Sequence, residues 1–126
     1  MAKSNPQITH SMVAGGDIAD FTVVKLHTVA GQVLTIAATN EKPFGIVERG
    51  AKSGLPVSVI TGGSAKVRAN GAIAAFGTPL MSGDGTVLAS TAQKNLVGQN
   101  METAGGAGQV IEVQVAISVN SYTALV

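Results

Sequence analysis

The residues able to do acid–base or metal chemistry are few and lie far apart along this chain of 126 residues. The two histidines, His10 and His27, belong to no HxxxH or HExxH pattern, and neither has a carboxylate at metal-ligand spacing. Cysteine is absent, which excludes disulfides, thiolate metal ligands and cysteine nucleophiles. We therefore expect no enzyme activity, no cofactor and no metal site. The carboxylates occur singly, at Asp17, Asp20, Glu41, Glu48, Asp84, Glu102 and Glu112.

Two glycine-rich segments raise the question of phosphate binding, because consecutive backbone N–H groups can hold an anion. Residues 50–53 (Gly-Ala-Lys-Ser) lack the upstream glycine and the Gly-Lys-Ser order of a P-loop. Residues 105–108 (Gly-Gly-Ala-Gly) lack the third glycine of a dinucleotide fingerprint. Both segments are typical of loops between strands.

The surface implied by the composition is unusually poor in charge. Only 12% of the residues are charged while 45% are hydrophobic, and a free monomer of this kind is poorly protected against association. The composition therefore favours self-association or incorporation into a larger assembly. A net charge of +1 with dispersed Lys and Arg predicts no nucleic-acid partner. No apolar run reaches the roughly 20 residues that span a bilayer, so we expect no membrane partner and synthesis in the cytoplasm.

The pattern of turns and apolar residues predicts an all-β fold. Turn signals recur about every 8 to 12 residues from Phe21 onward, and between them lie short β-branched segments. The clearest is 111–119, in which Ile and Val alternate with mostly polar residues, as in a strand with one buried face. We expect residues 1–17 to form an N-terminal arm and residues 18–126 to form a single β-rich domain.

Two finer features of this domain can be predicted. The alternating residues 57–59 and 64–68 flank Gly62-Gly63, which predicts a hairpin with a two-residue loop. The segment 44–59 is also echoed by 96–113, since each has a short apolar strand with a glycine, a loop ending in glycine and an alternating strand. Two related halves of one barrel-like sheet would produce this echo. Chance recurrence in a sequence rich in Gly, Val and Ala would also produce it.

The order of these motifs resembles that of the phage capsid cement (decoration) proteins of the DUF2190 type, small virion proteins on the outside of icosahedral heads. The resemblance covers about three-quarters of the chain, from Thr22 to Ile117. It is carried by residues 44–47 (Phe-Gly-Ile-Val), Gly54 with 57–59, 65–69 (Ala-Lys-Val-Arg-Ala), 77–80 (Gly-Thr-Pro-Leu), 85–87 (Gly-Thr-Val), 97–98 (Val-Gly), Ala104 and 110–115 (Val-Ile-Glu-Val-Gln-Val).

The resemblance implies a small β-barrel or a β-clip/β-tulip-like body with an extended N-terminal arm, residues 1–17, that is flexible or contacts the capsid. It also implies homotrimers on the outer surface of a tailed-phage capsid, with the major capsid protein as partner and the virion as location. The residues expected to contact the capsid or another subunit are Ile8, Met12, Val13 and Phe21.

Two other functions fit the same sequence. Another virion assembly component, such as a head-fibre base or a tail protein, shares every compositional argument. A small β-barrel that binds sugar is less favoured, because sugar sites stack rings on Trp or Tyr, and this chain has no Trp and one Tyr, Tyr122.

Overall fold

Nine β-strands make up the computed structural model, which describes residues 7–38, 41–90 and 95–117. In these residues there is no helix, which confirms the all-β prediction. The last nine residues of the predicted domain and the first six of the predicted arm lie outside the described residues. The strands are β1 (Gln7–Ala14), β2 (Thr22–Leu26), β3 (Gln32–Thr35), β4 (Gly45–Val47), β5 (Pro56–Arg68), β6 (Pro79–Ser82), β7 (Val87–Ala89), β8 (Leu96–Asn100) and β9 (Val110–Ala116).

The first five strands pair in a closed circuit, which we call unit 1. β3 pairs with β2, β2 with β4, and β4 with β5, all antiparallel. β1 then closes the circuit, because it pairs antiparallel with β5 along one edge and parallel with β3 at the end of the other. Closing a sheet in this way removes most of its free edges.

The strands β5 to β9 repeat the pattern, and we call them unit 2. β6 pairs with β7 and with β8, and β8 pairs with β9. β5 here takes the place that β1 has in unit 1, since it pairs antiparallel with β9 and its extension Ala69 bridges Val87 in parallel. The echo seen in the sequence therefore corresponds to a repeated strand topology.

The repetition extends to single hydrogen bonds outside the strand ladders. In unit 1 the Ala14 N–H donates to the Leu55 carbonyl at 2.9 Å, and in unit 2 the Ala69 N–H donates to the Gln109 carbonyl at 2.8 Å. Each unit also has one isolated antiparallel bridge between an isoleucine and an alanine. These bridges are Ile18–Ala51 in unit 1 and Ile73–Ala104 in unit 2. Positions in the two units are thus equivalent one by one at offsets of 53 to 56 residues.

The predicted hairpin at Gly62-Gly63 is wrong, because β5 runs through both glycines as one strand of 13 residues. The glycines mark the place where β5 changes partner, from β1 on its first part to β9 on its second. The register to β1 shifts here, and Gly63 has a φ of 87°. A Cβ at Gly62 would lie 2.9 Å from Cδ1 of Ile8. The glycines therefore permit a bulge and a close approach rather than a turn.

The buried apolar residues form two clusters. The smaller lies inside unit 1 and is formed mainly by valines such as Val33, Val47 and Val59. The larger joins unit 2 to four residues on the outside of unit 1, and it therefore fixes the two units to each other. Those four residues are Val23, Ile36, Ile46 and Ile60. In β9 the predicted alternation holds, since Ile111, Val113 and Val115 are buried and Gln114 and Ala116 are exposed.

The predicted arm contains a strand of the sheet. β1 pairs with β5 over seven positions, and Ala14 at its end is buried. The predicted boundary at residue 17 therefore falls just before the bridge residue Ile18 and after a strand that completes unit 1. The apolar alternation in this strand is short, which is why the sequence indicates an arm here rather than a strand.

Replacing Gly98 by alanine tests the packing that both units share. A Cβ at Gly98 would lie 1.8 Å from the Gln114 carbonyl oxygen, and at the equivalent Gly45 it would lie 2.5 Å from the Ile60 carbonyl oxygen. We expect Gly98→Ala to lower the free energy of unfolding by about 3 kcal/mol, because strand backbone must move. Urea denaturation measures the effect. Gly71→Ala is the control, since a Cβ there meets nothing within 4 Å; equal losses in both variants would contradict the packing.

Candidate assembly surface

The four predicted contact residues lie in two places. Ile8, Met12 and Val13 are on β1, where Ile8 is 62% exposed while Met12 is half-buried against the valine cluster of unit 1. Phe21 lies between the units, half-buried, with the Arg68 guanidinium 5.9 Å from the centre of its ring. The structure therefore brings three of them onto one strand, and it uses the fourth in a contact within the chain. Their roles as intermolecular contacts stay predictions.

One edge of β1 has no strand paired to most of its length in the described chain. The Val13 N–H donates to the Gly31 carbonyl on the side of β3. Backbone groups of alternate residues point to the same edge, so those of Ser11 and Thr9 also point to this side. The pairing with β3 includes only Val13 and Ala14, and residues 7–11 are all exposed. The outer edge of β1, at Thr9 and Ser11, is thus open to another strand or loop.

The corresponding edge of β5 is covered by two segments of unit 1. The Lys66 N–H donates to the Glu48 carboxylate at 2.7 Å. The Arg68 N–H donates to the Phe21 carbonyl at 3.1 Å, and Phe21 in turn donates its N–H to the Glu48 carbonyl. Phe21 adopts a positive φ of 58°, which is strained for an aromatic residue. We call this arrangement the internal junction.

Unit 2 exposes two large apolar side chains, one in the turn before β6 and one directly after β8. Phe76 is 73% exposed and Met101 is 48% exposed. Their backbones meet, because the Gly77 N–H donates to the Asn100 carbonyl at 3.0 Å. Sequence reasoning missed both residues, although an aromatic side chain in an alanine- and glycine-rich turn is a signal that could have indicated Phe76.

A second group of exposed apolar residues lies at one end of unit 1. Val29 and Leu55 stand on two loops held by adjacent residues of β1, since Val13 bonds to Gly31 and Ala14 bonds to Leu55. Both side chains are about half exposed, as is Leu26 at the end of β2. We call Leu26, Val29 and Leu55 the apolar end of unit 1. Apolar clusters of this kind mark sites where proteins meet.

A surface depression of about 540 Å³ beside this end holds the ion pair of Lys25 and Glu41. Glu41 also accepts the N–H groups of Ala37 at 2.6 Å and Ala38 at 3.1 Å. The hydrogen bond from Lys25, followed by that from Ala37, lowers the pKa of Glu41 below its ordinary value. The arrangement ties the segment after β3 to β2.

The described residues hold no group of three or more His, Asp or Glu side chains able to bind a metal ion. Likewise, the part of the chain that the structure describes contains no helix long and apolar enough to cross a membrane. The described surface therefore has one open strand edge, on β1, and two groups of exposed apolar side chains.

Comparison with known proteins identifies a related fold. No family model and no curated protein matches the chain. Among solved structures, the head fiber gp8.5 N base in bacteriophage phi29 matches with a TM-score of 0.68 and 18% sequence identity. The match covers 93% of this chain and 100% of that chain. At this identity the likeness shows the fold, and the resemblance to the cement family stays a prediction.

Lowering the pH tests the ion pair. Because the folded pKa of Glu41 is lowered, its contribution to stability is present above the ordinary pKa and is lost as the pH falls through the folded one. We expect Glu41→Gln to cost less than about 1 kcal/mol at pH 7, since the pair lies near the surface, and nothing once the carboxyl is protonated. Urea denaturation of both proteins at pH 7 and at strongly acidic pH measures this. A pH-independent difference would contradict it.

Proposed function

We propose that the chain is a structural protein of a tailed-phage virion that binds the outer surface of the capsid and stabilises it. Its partners are the major capsid protein and further copies of the same chain, in a homotrimer, and it assembles onto the capsid in the host cytoplasm. Such a protein acts through rigidity and contact area rather than through a catalytic pocket, because it adds its binding free energy to the shell.

The observation that carries this proposal is the fold, which over 93% of the chain is similar to the base of a phage head fiber. The closed strand circuits and the large common core give the rigidity that the role requires. The scarcity of charge and the exposed apolar residues provide contact area. The order of motifs that resembles the cement proteins points to the same class.

The apolar end of unit 1 is the surface that we assign to the capsid. Val29 and Leu55 lie on loops that are held to β1 by backbone hydrogen bonds, so binding does not need to order them. Preorganised contact residues lose little conformational entropy on binding. We assign the surface of β1 around Ile8 and Met12 to contacts between copies of the chain.

The base of a head fibre is the second candidate function, favoured by the same structural match. In that case the chain would carry a fibre in addition to binding the virion. Electron microscopy of virions labelled on this chain distinguishes the two functions, since a decoration protein lies on the shell alone and a fibre base lies beneath a projecting fibre.

Mixing the purified protein with expanded empty capsids of its phage tests the proposal. We expect it to pellet with the capsids to a saturating stoichiometry. Val29→Ser and Leu55→Ser combined should raise the dissociation constant about thirtyfold, because each removes a half-exposed apolar contact worth roughly 1 kcal/mol. Ala107→Ser, on an exposed loop of unit 2, is the control. Protein that stays in the supernatant of authentic capsids would overturn capsid binding.

A further inference from the structure

The loop that follows β5 contains the only Asn-Gly pair in the chain, Asn70 and Gly71. Asn70 is exposed, and a Cβ placed on Gly71 would meet no atom within 4 Å. Among the described residues, no hydrogen bond holds the side-chain amide of Asn70 or the backbone N–H of Gly71. The Gly71 nitrogen is therefore free to approach the side chain of Asn70.

These two groups can react with each other. The Gly71 nitrogen loses its proton and attacks Cγ of Asn70, which forms a new N–Cγ bond and breaks the amide bond, so that ammonia leaves with the proton. The product is a five-membered succinimide ring. Water then opens the ring at either carbonyl, giving aspartate or isoaspartate, and in isoaspartate the main chain runs through Cγ. Glycine favours the attack because it has no Cβ and its backbone is permissive, and the nucleophile and the amide are neighbours in one chain.

Asn100 shows what protects an asparagine from this reaction. Its side chain is 2% exposed, and its Nδ2 donates to the carbonyls of Ala75 and Glu102, both at 2.9 Å. Its Oδ1 accepts the Thr78 N–H at 2.7 Å. The residue that follows it is Met101, whose side chain hinders the backbone nitrogen. Asn100 therefore serves as a comparison within the same molecule.

The chain is anchored on both sides of the Asn-Gly pair. The Asn70 N–H donates to the Val87 carbonyl at 2.7 Å, and three residues further on Ile73 and Ala104 exchange two backbone hydrogen bonds of 2.9 Å. The Ile73 side chain belongs to the larger apolar cluster, which joins the two units. Isoaspartate places one additional carbon in the main chain between these anchors. Either the bridge or the buried isoleucine must then move.

The equivalent loop of unit 1 has no asparagine. Gly15 and Gly16 take the place of the Asn-Gly pair, and the Gly15 N–H donates to the Val33 carbonyl at 2.8 Å as the Asn70 N–H donates to Val87. The same loop thus forms without an amide side chain at this position. The Asn70 side chain is consequently not required for the fold of unit 2.

We propose that Asn70 is a site of spontaneous deamidation, and that the isoaspartate formed there loosens the attachment of β5 to the larger cluster. The inference is independent of capsid binding and of self-association. Because the attacking nitrogen must lose its proton, the reaction is faster at higher pH. A preparation of the protein therefore becomes chemically mixed as it ages.

Mass spectrometry of purified protein kept at pH 6 and at pH 8 tests the modification. Trypsin releases residues 69–94, in which Asn70 is the only asparagine. We expect this peptide to gain the mass that accompanies replacement of an amide by an acid, at residue 70 and faster at pH 8, while Asn100 keeps its amide. Gly71→Ala should slow the gain about tenfold, because its Cβ hinders the attack, and the open space around this position lets the variant fold.

Urea denaturation of the aged protein tests the structural consequence. The isoaspartate form, separated by chromatography, should unfold at a midpoint lower by about 1 M urea. Asn70→Asp is the matched control, since it carries the new charge on an ordinary main chain and should unfold like fresh protein. Asn70→Gly, which copies unit 1, should neither gain mass nor lose stability with age.

The two parts of the proposal fail separately. The modification is refuted if residue 70 of the folded protein gains no mass at pH 8 while a synthetic peptide of residues 67–74 is deamidated in the same buffer. Equal urea midpoints for the isoaspartate form and Asn70→Asp would refute the loosening. Neither experiment uses a capsid, so the proposed function stands or falls on its own test.

Discussion

The structure depends on the pairing of β5 with strands from both halves of the chain. Its first part closes unit 1 against β1 and its second part closes unit 2 against β9. Since one continuous backbone belongs to both circuits, neither unit can move or open without straining the other. The two glycines in the middle of β5 allow this double use, because they let the strand bulge where its partner changes. Rigidity of the whole body follows from one strand.

The closure of only five strands in each unit also explains why the chain is rich in small apolar residues and poor in aromatic ones. A closed sheet with so few strands has a narrow interior, since barrel diameter grows with strand number. Small side chains fit such an interior, and its residues are mainly Val, Ala and Ile. Close backbone approaches, as at Gly45 and Gly98, require glycine in addition. Of the phenylalanines, Phe76 lies at the surface, Phe21 lies in the junction, and Phe44 packs partly buried against the cluster of unit 1.

The fold class and the strand in β9 were predictable, because alternation over many residues has one structural meaning. The repeat was visible as an echo, but the pairing of β5 with two partners was not, since Gly62-Gly63 between alternating segments normally indicates a hairpin. Of the four predicted contact residues, Ile8 is exposed on β1, and its role as an intermolecular contact stays a prediction. Phe21 satisfies an internal contact, and Phe76 and Met101 were missed because exposure depends on the register of strands distant in sequence.

The central position of β5 has a consequence for synthesis on the ribosome. Unit 1 can close once residue 63 has emerged from the ribosome. The second part of β5 pairs with β9, which is synthesised about 50 residues later. At roughly 5 to 20 residues per second this delay is several seconds. During that interval an unpaired strand edge is exposed to aggregation. Lys66 and Arg68 place positive charge on this strand, and charged side chains on an edge strand disfavour its pairing with another chain. The positive charges of β5 thus protect the nascent chain until β9 covers this edge.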